Sequence, residues 1–206
     1  MKKLLKHQEV SFIKHSIRSG EIKIVKLSES SIIKPFDCGV YDLNAFLFDD
    51  AKTYLRYLYS TTFLFENEHK TVAYYSLLND LLNINPHTDK EFEQELWNIV
   101  ANQDYSFFLE MQNISMFPAV KIGRFAVDLE FQRKGFGTEI MNLIVTGLLM
   151  NNKTGCQFLT VDALNNKDTL RFYTRNGFEF VTLTDIGKPS RQMYKNLIAL
   201  KTLKDL

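Results

Sequence analysis

The stretch richest in chemistry is Val120-Lys121-Ile122-Gly123-Arg124-Phe125-Ala126-Val127-Asp128, then Leu129-Glu130-Phe131, then Gln132-Arg133-Lys134-Gly135-Phe136-Gly137-Thr138. A run of β-formers delivers the chain into a loop where Gly135 and Gly137 permit unusual backbone angles. That loop opens into a helical pattern whose first N–H groups have no partner within the helix. Such amides, with the helix dipole of about half a positive charge, favour an anion, and Arg133 and Lys134 add direct charge. A pyrophosphate suits this arrangement. The spacing is neither GxxxxGK[ST] nor GxGxxG, which disfavours a nucleoside-triphosphate loop and a dinucleotide fold. A plain tight turn beside solvated charges is the other reading of the same residues.

The elements around this segment follow from periodicity and punctuation. Glu21 to Leu27 alternates like a strand, and Pro35 and Gly39 mark a loop. A helix follows with Asp42 as N-cap and Leu43, Phe46, Leu47, Ala51, Tyr54, Leu55 and Leu58 as its inward stripe. Thr61 to Phe65 and Thr71 to Leu78 read as two antiparallel strands joined through Glu66-Asn67-Glu68-His69-Lys70. A helix is expected over Asp89 to Val100, with Phe92, Leu96, Trp97 and Val100 on one side. The spacing then predicts a strand over Val120 to Asp128 and a helix over Thr138 to Asn151, with Ile140, Met141, Ile144, Val145, Leu148 and Leu149 inward. Cys156 to Ala163 forms a strand, and Lys167 to Arg175 a helix stopped by Asn176-Gly177. Phe178 to Leu183 and Arg191 to Leu197 form two more strands. The fold class is α/β with one mixed sheet. Residues 1–20 read as an extension, 21–206 as one domain, and 86–117 as an inserted segment.

Composition sets bounds on function. The chain has 206 residues, 45 % hydrophobic and 13 % aromatic, enough apolar surface for a substantial core. Lys plus Arg number 25 against 24 Asp plus Glu, a net charge of +1, so no global basic field argues for nucleic acid. Cys38 and Cys156 match no metal-ligand spacing, and a reduced, disulfide-free cytosolic protein is expected. No window approaches the ~18 apolar residues of a membrane span, and Lys6-His7-Gln8-Glu9 interrupts any signal-like start.

Arg124-Phe125-Ala126-Val127-Asp128 with Gln132-Arg133-Lys134-Gly135-Phe136-Gly137 closely resembles the acetyl-coenzyme A signature of the GNAT N-acetyltransferase superfamily, Q/R-x-x-G-x-G/A after a strand. Val161-Asp162-Ala163, Asn166 and Phe172-Tyr173-Thr174-Arg175-Asn176-Gly177-Phe178 look like the family's second motif, with Thr169 standing where alanine is frequent. The resemblance covers about Glu21 to Leu197. It implies the GNAT fold, a mostly antiparallel central sheet flanked by helices. It also implies acetyl-CoA as cosubstrate and a set of roles. Backbone amides at Phe125 and Val127, with Ala126 between them, would hold the acetyl carbonyl and pantetheine arm. The run Gln132, Arg133, Lys134, Gly135, Phe136, Gly137 and Thr138 would hold the pyrophosphate. Asn166 would touch the cofactor, and Tyr173 would act as general acid.

A phenol with pKa near ~10 can donate to a leaving thiolate whose conjugate acid resembles the ~8.5 of cysteine. Without the motif, Tyr173 beside Phe172 reads as a core aromatic. The general base is open among Glu110, Asp128 and Glu130. At pH 7 a lysine amine costs about 4.6 kcal/mol to neutralise and an α-amine only about 1.4, so the need for a base depends on the acceptor.

Pro35-Phe36-Asp37-Cys38-Gly39, Leu43-Asn44-Ala45-Phe46-Leu47, Ala51 and Thr71-Val72-Ala73-Tyr74-Tyr75-Ser76-Leu77 look like the GNAT toxins of bacterial toxin–antitoxin pairs. Those toxins acetylate the α-amine of aminoacyl-tRNA. The expected function is an N-acetyltransferase acting on a primary amine, with such a toxin or a non-catalytic CoA-binding module as alternatives. The expected partners are acetyl-CoA, an amine acceptor including tRNA, an antitoxin and a second copy of the chain. Arg124, Arg133, Lys134, Arg171, Arg175, Lys188 and Arg191 are the basic residues available to tRNA.

Overall fold

The computed structural model describes residues 16–17, 21–83, 115–150, 155–182 and 184–202. The expected helix over Asp89 to Val100, Glu110 and most of the 1–20 and 86–117 segments lie outside them. The chain divides into two compact units, one built from residues up to Leu78 and from Ile122–Ile144, the other from Asn79–Lys121 and Val145 onward.

In the first unit strands β1 (Lys23–Lys26), β2 (Thr61–Glu66), β3 (Thr71–Asn83, as far as Leu78) and β4 (Met116–Val127, from Ile122) lie in that order. β1 with β2 and β2 with β3 pair antiparallel, Phe63 opposite Tyr75 and Leu64 opposite Tyr74. Short helices α1 (Tyr41–Ala45) and α2 (Ala51–Arg56) are joined by a π turn, Phe46–Asp50, where the expected pattern was one regular helix. The Ala51 N–H donates to the Phe46 carbonyl five residues back, which brings Phe46, Leu47 and Ala51 onto one buried face. The second helix ends at Arg56, so Leu58 falls in the turn beyond it, 92 % exposed at φ +56°, against its expected place in the stripe. Asp42 sits inside the first turn, and Val40 is the N-cap.

The core of this unit gathers Leu27, Phe36, Cys38, Phe46, Leu47, Ala51, Leu64, Tyr74 and Ala126. Each large apolar side chain buried there contributes about 1.5–3 kcal/mol. Tyr74 places an edge of its ring against Phe36 at 5.4 Å and donates its hydroxyl to the Leu43 carbonyl at 2.7 Å, fastening α1 to β3.

In the second unit the order is β3-β4-β5-β7-β6, with β5 Phe158–Leu164, β6 Glu179–Phe180 and β7 Ser190–Asn196. β7 pairs antiparallel with both β5 and β6. β6 is two residues long where the alternation predicts a strand from Phe178 to Leu183, because Thr182 and Thr184 turn the chain with their hydroxyls. Helix α3 spans Phe136–Met150, α4 (Lys167–Arg175) follows β5, and α5 (Leu197–Thr202) follows β7. Cys38 and Cys156 are both buried, and neither is in a disulfide. Among the described residues no helix is long and apolar enough to cross a membrane.

Candidate active site

β4 carries the first group of site residues. Gly123 is required by close approach: a Cβ there would lie 2.7 Å from Leu78 Cδ2 and 3.1 Å from Ser76 Oγ on β3. Beyond it Ala126 points into the core, so strand alternation puts the half-buried Phe125 and Val127 on the other face. Arg124 lays its guanidinium 5.0 Å from the Phe46 ring centroid while Nη1 donates to the Gly123 carbonyl.

Asp128 ends the strand and anchors the loop. Its carboxylate is 1 % exposed and accepts from the Asp37 and Glu130 N–H groups at 3.1 and 3.0 Å and from Lys70 Nζ at 2.9 Å. Glu130 also accepts from Lys70 at 2.9 Å. Both carboxylates that remain as candidate bases are therefore tied to one ammonium. Burial opposes the Lys70 charge, yet the hydrogen bonds it donates to Asp128 and Glu130 outweigh that and raise its pKa. Asp37, which accepts from the Gly39 N–H and the Asn44 amide, is held below the ordinary carboxylate range by those two bonds. Asp37 and Asn44 lie in the segments that resemble the toxins, but the sequence does not show them as supports of this loop, and Lys70 has the look of hairpin filler.

The loop itself follows a 3-10 turn, Leu129–Phe131. Gln132 is a brace: its side-chain amide donates to the Cys38 and Val127 carbonyls, both at 2.9 Å. The two left-handed residues are Arg133 at φ +59° and Gly135 at φ +87°. Gly137 lies inside α3 and is not among the residues with positive φ, contrary to the expectation that both glycines bend the loop. Arg133, Lys134 and Gly135 are exposed, and a Cβ at Gly135 would meet nothing within 4 Å. Phe136 is buried edge-on against Phe131 at 5.2 Å and pins the start of the helix. The Glu139 N–H bonds to the Gly135 carbonyl, so the amides of Gly137 and Thr138 precede the first intrahelical hydrogen bond. Open space, a left-handed glycine, helix-mouth amides and two exposed cations fit a pyrophosphate.

The second unit holds the remaining candidates. Asn166 is the N-cap of α4, and its side-chain oxygen accepts from the Thr169 N–H at 2.9 Å. Tyr173 sits on α4, 6 % exposed, with the Phe172 and Phe178 rings edge-on at 5.2 Å each. Burial pushes its phenol well above the usual tyrosine value, so it stays neutral and keeps a proton to give. Among the described residues its hydroxyl makes no hydrogen bond. Arg191 is not a member of an exposed basic patch. It is buried at 8 %, donates to Asp185 and to the Thr182 carbonyl at 2.9 Å each, and stacks on Phe180 at 3.9 Å. Arg171, Arg175 and Lys188 are exposed.

Residues 98–180 match the family model of the acetyltransferase (GNAT) domain. No curated protein matches the chain by sequence. Among solved structures, AtaT complexed with acetyl-methionyl-tRNAfMet is similar at 20 % identity and TM-score 0.64, over 89 % of this chain and 99 % of that one. A Tyr-to-Phe variant of the toxin AtaT, bound to the C-terminus of the antitoxin AtaR and acetyl-CoA, is similar at 19 % identity and TM-score 0.61, over 90 % and 99 %. A Tyr-to-Phe variant of KacT is similar at 20 % identity and TM-score 0.63, over 89 % and 99 %. At these identities the structural likeness establishes the fold. The family-model match adds a likeness to a GNAT acetyltransferase domain over residues 98–180, less than half of the chain.

Proposed function

We propose that the protein transfers the acetyl group of acetyl-CoA to a primary amine, and that the acceptor is the α-amine of an aminoacyl-tRNA. The observation that carries the first half is the braced loop between β4 and α3, with Gly135 at φ +87° and open space beside it. Arg133, Lys134 and the amides from Gly135 to Thr138 would hold the coenzyme's pyrophosphate, and the Phe125 and Val127 backbone its pantetheine arm. Acetyl-CoA supplies a thioester, an acyl group already activated toward an amine.

Two jobs then fall to the protein itself. Fixed amides stabilise charge growing on the acyl oxygen without having to reorganise. Tyr173, kept neutral by burial, donates its proton to the departing sulfur. The engagement of both candidate bases suits an α-amine, which loses its proton near pH ~8 and needs little help. Asp128 and Glu130 are both bound to Lys70. The acceptor class is supported by the likeness to AtaT complexed with acetyl-methionyl-tRNAfMet.

Calorimetric titration of acetyl-CoA into wild type and Gly135→Glu, followed by thiol release on adding charged tRNA, tests both halves. The variant places a carboxylate at the phosphate position and is expected to bind at least about 10-fold more weakly. Thiol release is expected with charged tRNA and not with uncharged tRNA. Equal binding by both proteins would remove the loop from the site. Release on simple amines alone would replace tRNA with a small-molecule acceptor.

A further inference from the structure

A lysine that no sequence motif marks stands against the turn that follows the helix of Tyr173, the proposed acid. Lys195 stands on β7, half-buried, and its Nζ donates to the carbonyl of Asn176, the residue that closes α4. The same Nζ lies 5.9 Å from the centroid of the Phe178 ring. Phe178 in turn grips Tyr173 twice. Its N–H donates to the Tyr173 carbonyl at 3.1 Å, and its ring meets the Tyr173 ring edge-on at 5.2 Å. Between Asn176 and Phe178, Gly177 sits at φ +76°, and a Cβ there would lie 2.8 Å from Lys195 Nζ. The ammonium thus fills the space inside the turn that follows α4, where a cation also meets the negative end of the helix dipole.

We propose that Lys195 is a positioning residue that sets the place of the Tyr173 hydroxyl through Asn176 and Phe178. The proposal rests on the reading of Tyr173 as proton donor. A ring hinged at its Cα carries its hydroxyl far from the backbone, so a small tilt of α4 or of Phe178 displaces the donated proton. A misplacement of about 1 Å costs on the order of 100-fold in rate. Burial lowers the pKa of the Lys195 amine, consistent with an ammonium embedded in the fold rather than displayed to solvent. The Asn176 amide adds a bond to the Phe172 carbonyl at 2.8 Å, and the Gly177 N–H one to the Thr174 carbonyl at 3.0 Å, so the turn is tied to the last turn of α4 at several points.

The test uses the full chain with acetyl-CoA and methionyl-tRNA, in Tyr173→Phe, Lys195→Met, Lys195→Gln and the double variant Tyr173→Phe with Lys195→Met. Each protein, Tyr173→Phe included, is also labelled with 3-fluorotyrosine, the Tyr173 resonance being the one that disappears in Tyr173→Phe. Lys195→Met is expected to lower kcat about 10- to 100-fold with KM for acetyl-CoA within about twofold. Lys195→Gln, which keeps a donor for the Asn176 carbonyl, is expected to restore most of kcat. Adding Lys195→Met to Tyr173→Phe is expected to cost nothing more, and the Tyr173 fluorine resonance is expected to shift in Lys195→Met and return in Lys195→Gln. Full activity in Tyr173→Phe would sink the acid reading itself. With that reading intact, an equal loss from Lys195→Met in both backgrounds would overturn the positioning role. An unmoved fluorine resonance would overturn it without any acceptor.

Discussion

Tyr173 and Asp128 show how burial divides labour between two titratable side chains. The Tyr173 phenol is enclosed by rings, and its pKa rises because the phenolate would be poorly solvated. A group whose pKa is raised remains protonated as pH climbs, so Tyr173 should contribute no fall in rate on the alkaline side below about pH 10. The rising limb should follow the acceptor amine, with a midpoint near pH ~8 for an α-amine. A pH profile of kcat/KM checks this, and Tyr173→Phe should lower kcat about 100-fold or more while leaving the rising limb in place. The Asp128 oxygens are engaged differently, by two amides and one ammonium. Asp128→Asn keeps the shape and discards the charge that Lys70 needs, and should cost about 3 kcal/mol in chemical denaturation.

The elements differ in how tightly their backbones are prescribed. α4 has the bounds that its capping residues announce, from Asn166 to Asn176-Gly177. Its exit turn is a doubly constrained glycine site, because Gly177→Ala would add both a left-handed Cβ and a 2.8 Å approach to Lys195 Nζ. That substitution should lower stability by about 1–3 kcal/mol, read as a drop in Tm. Gly135 has the same hand of φ but open space, so strain alone applies there. The helical segment after Gly39 behaves in the opposite way. Its apolar spacing suggests one regular helix, yet the π turn at Phe46–Asp50 lets Phe46 and Ala51 share a buried face five residues apart. A pattern of threes and fours cannot announce that shift, since it is selected by the Tyr74 and Phe36 surfaces onto which the helix packs.

At the scale of the molecule, 25 basic residues against 24 acidic ones leave almost no long-range field. Any tRNA must therefore be met by local charge. Exposed Arg124, Arg133 and Lys134 belong to one unit, and Arg171, Arg175 and Lys188 to the other. The KM for charged tRNA should rise with salt. Arg124→Ser should weaken tRNA binding and reduce the slope of log affinity against log salt by about 1 for each phosphate that Arg124 neutralises. An unchanged slope would place Arg124 in the fold alone, held over Phe46.

Local order along the chain was enough to read the strand, loop and helix from β4 to α3, the second motif ending at Gly177, and the antiparallel pair β2 and β3. These depend on period, punctuation and backbone chemistry, which neighbouring residues carry. What depended on partners distant in sequence was legible only in the folded chain. Lys70 reaches Asp128 across 58 positions, Gln132 reaches the Cys38 carbonyl across 94, and Lys195 closes on Asn176 across 19. The roles of Asp128 as anchor, Gln132 as brace and Arg191 as buried ion-pair partner were decided in the same way. A side chain's type states which bonds it can make, and only tertiary packing, by removing water and presenting one partner, decides which bond it does make.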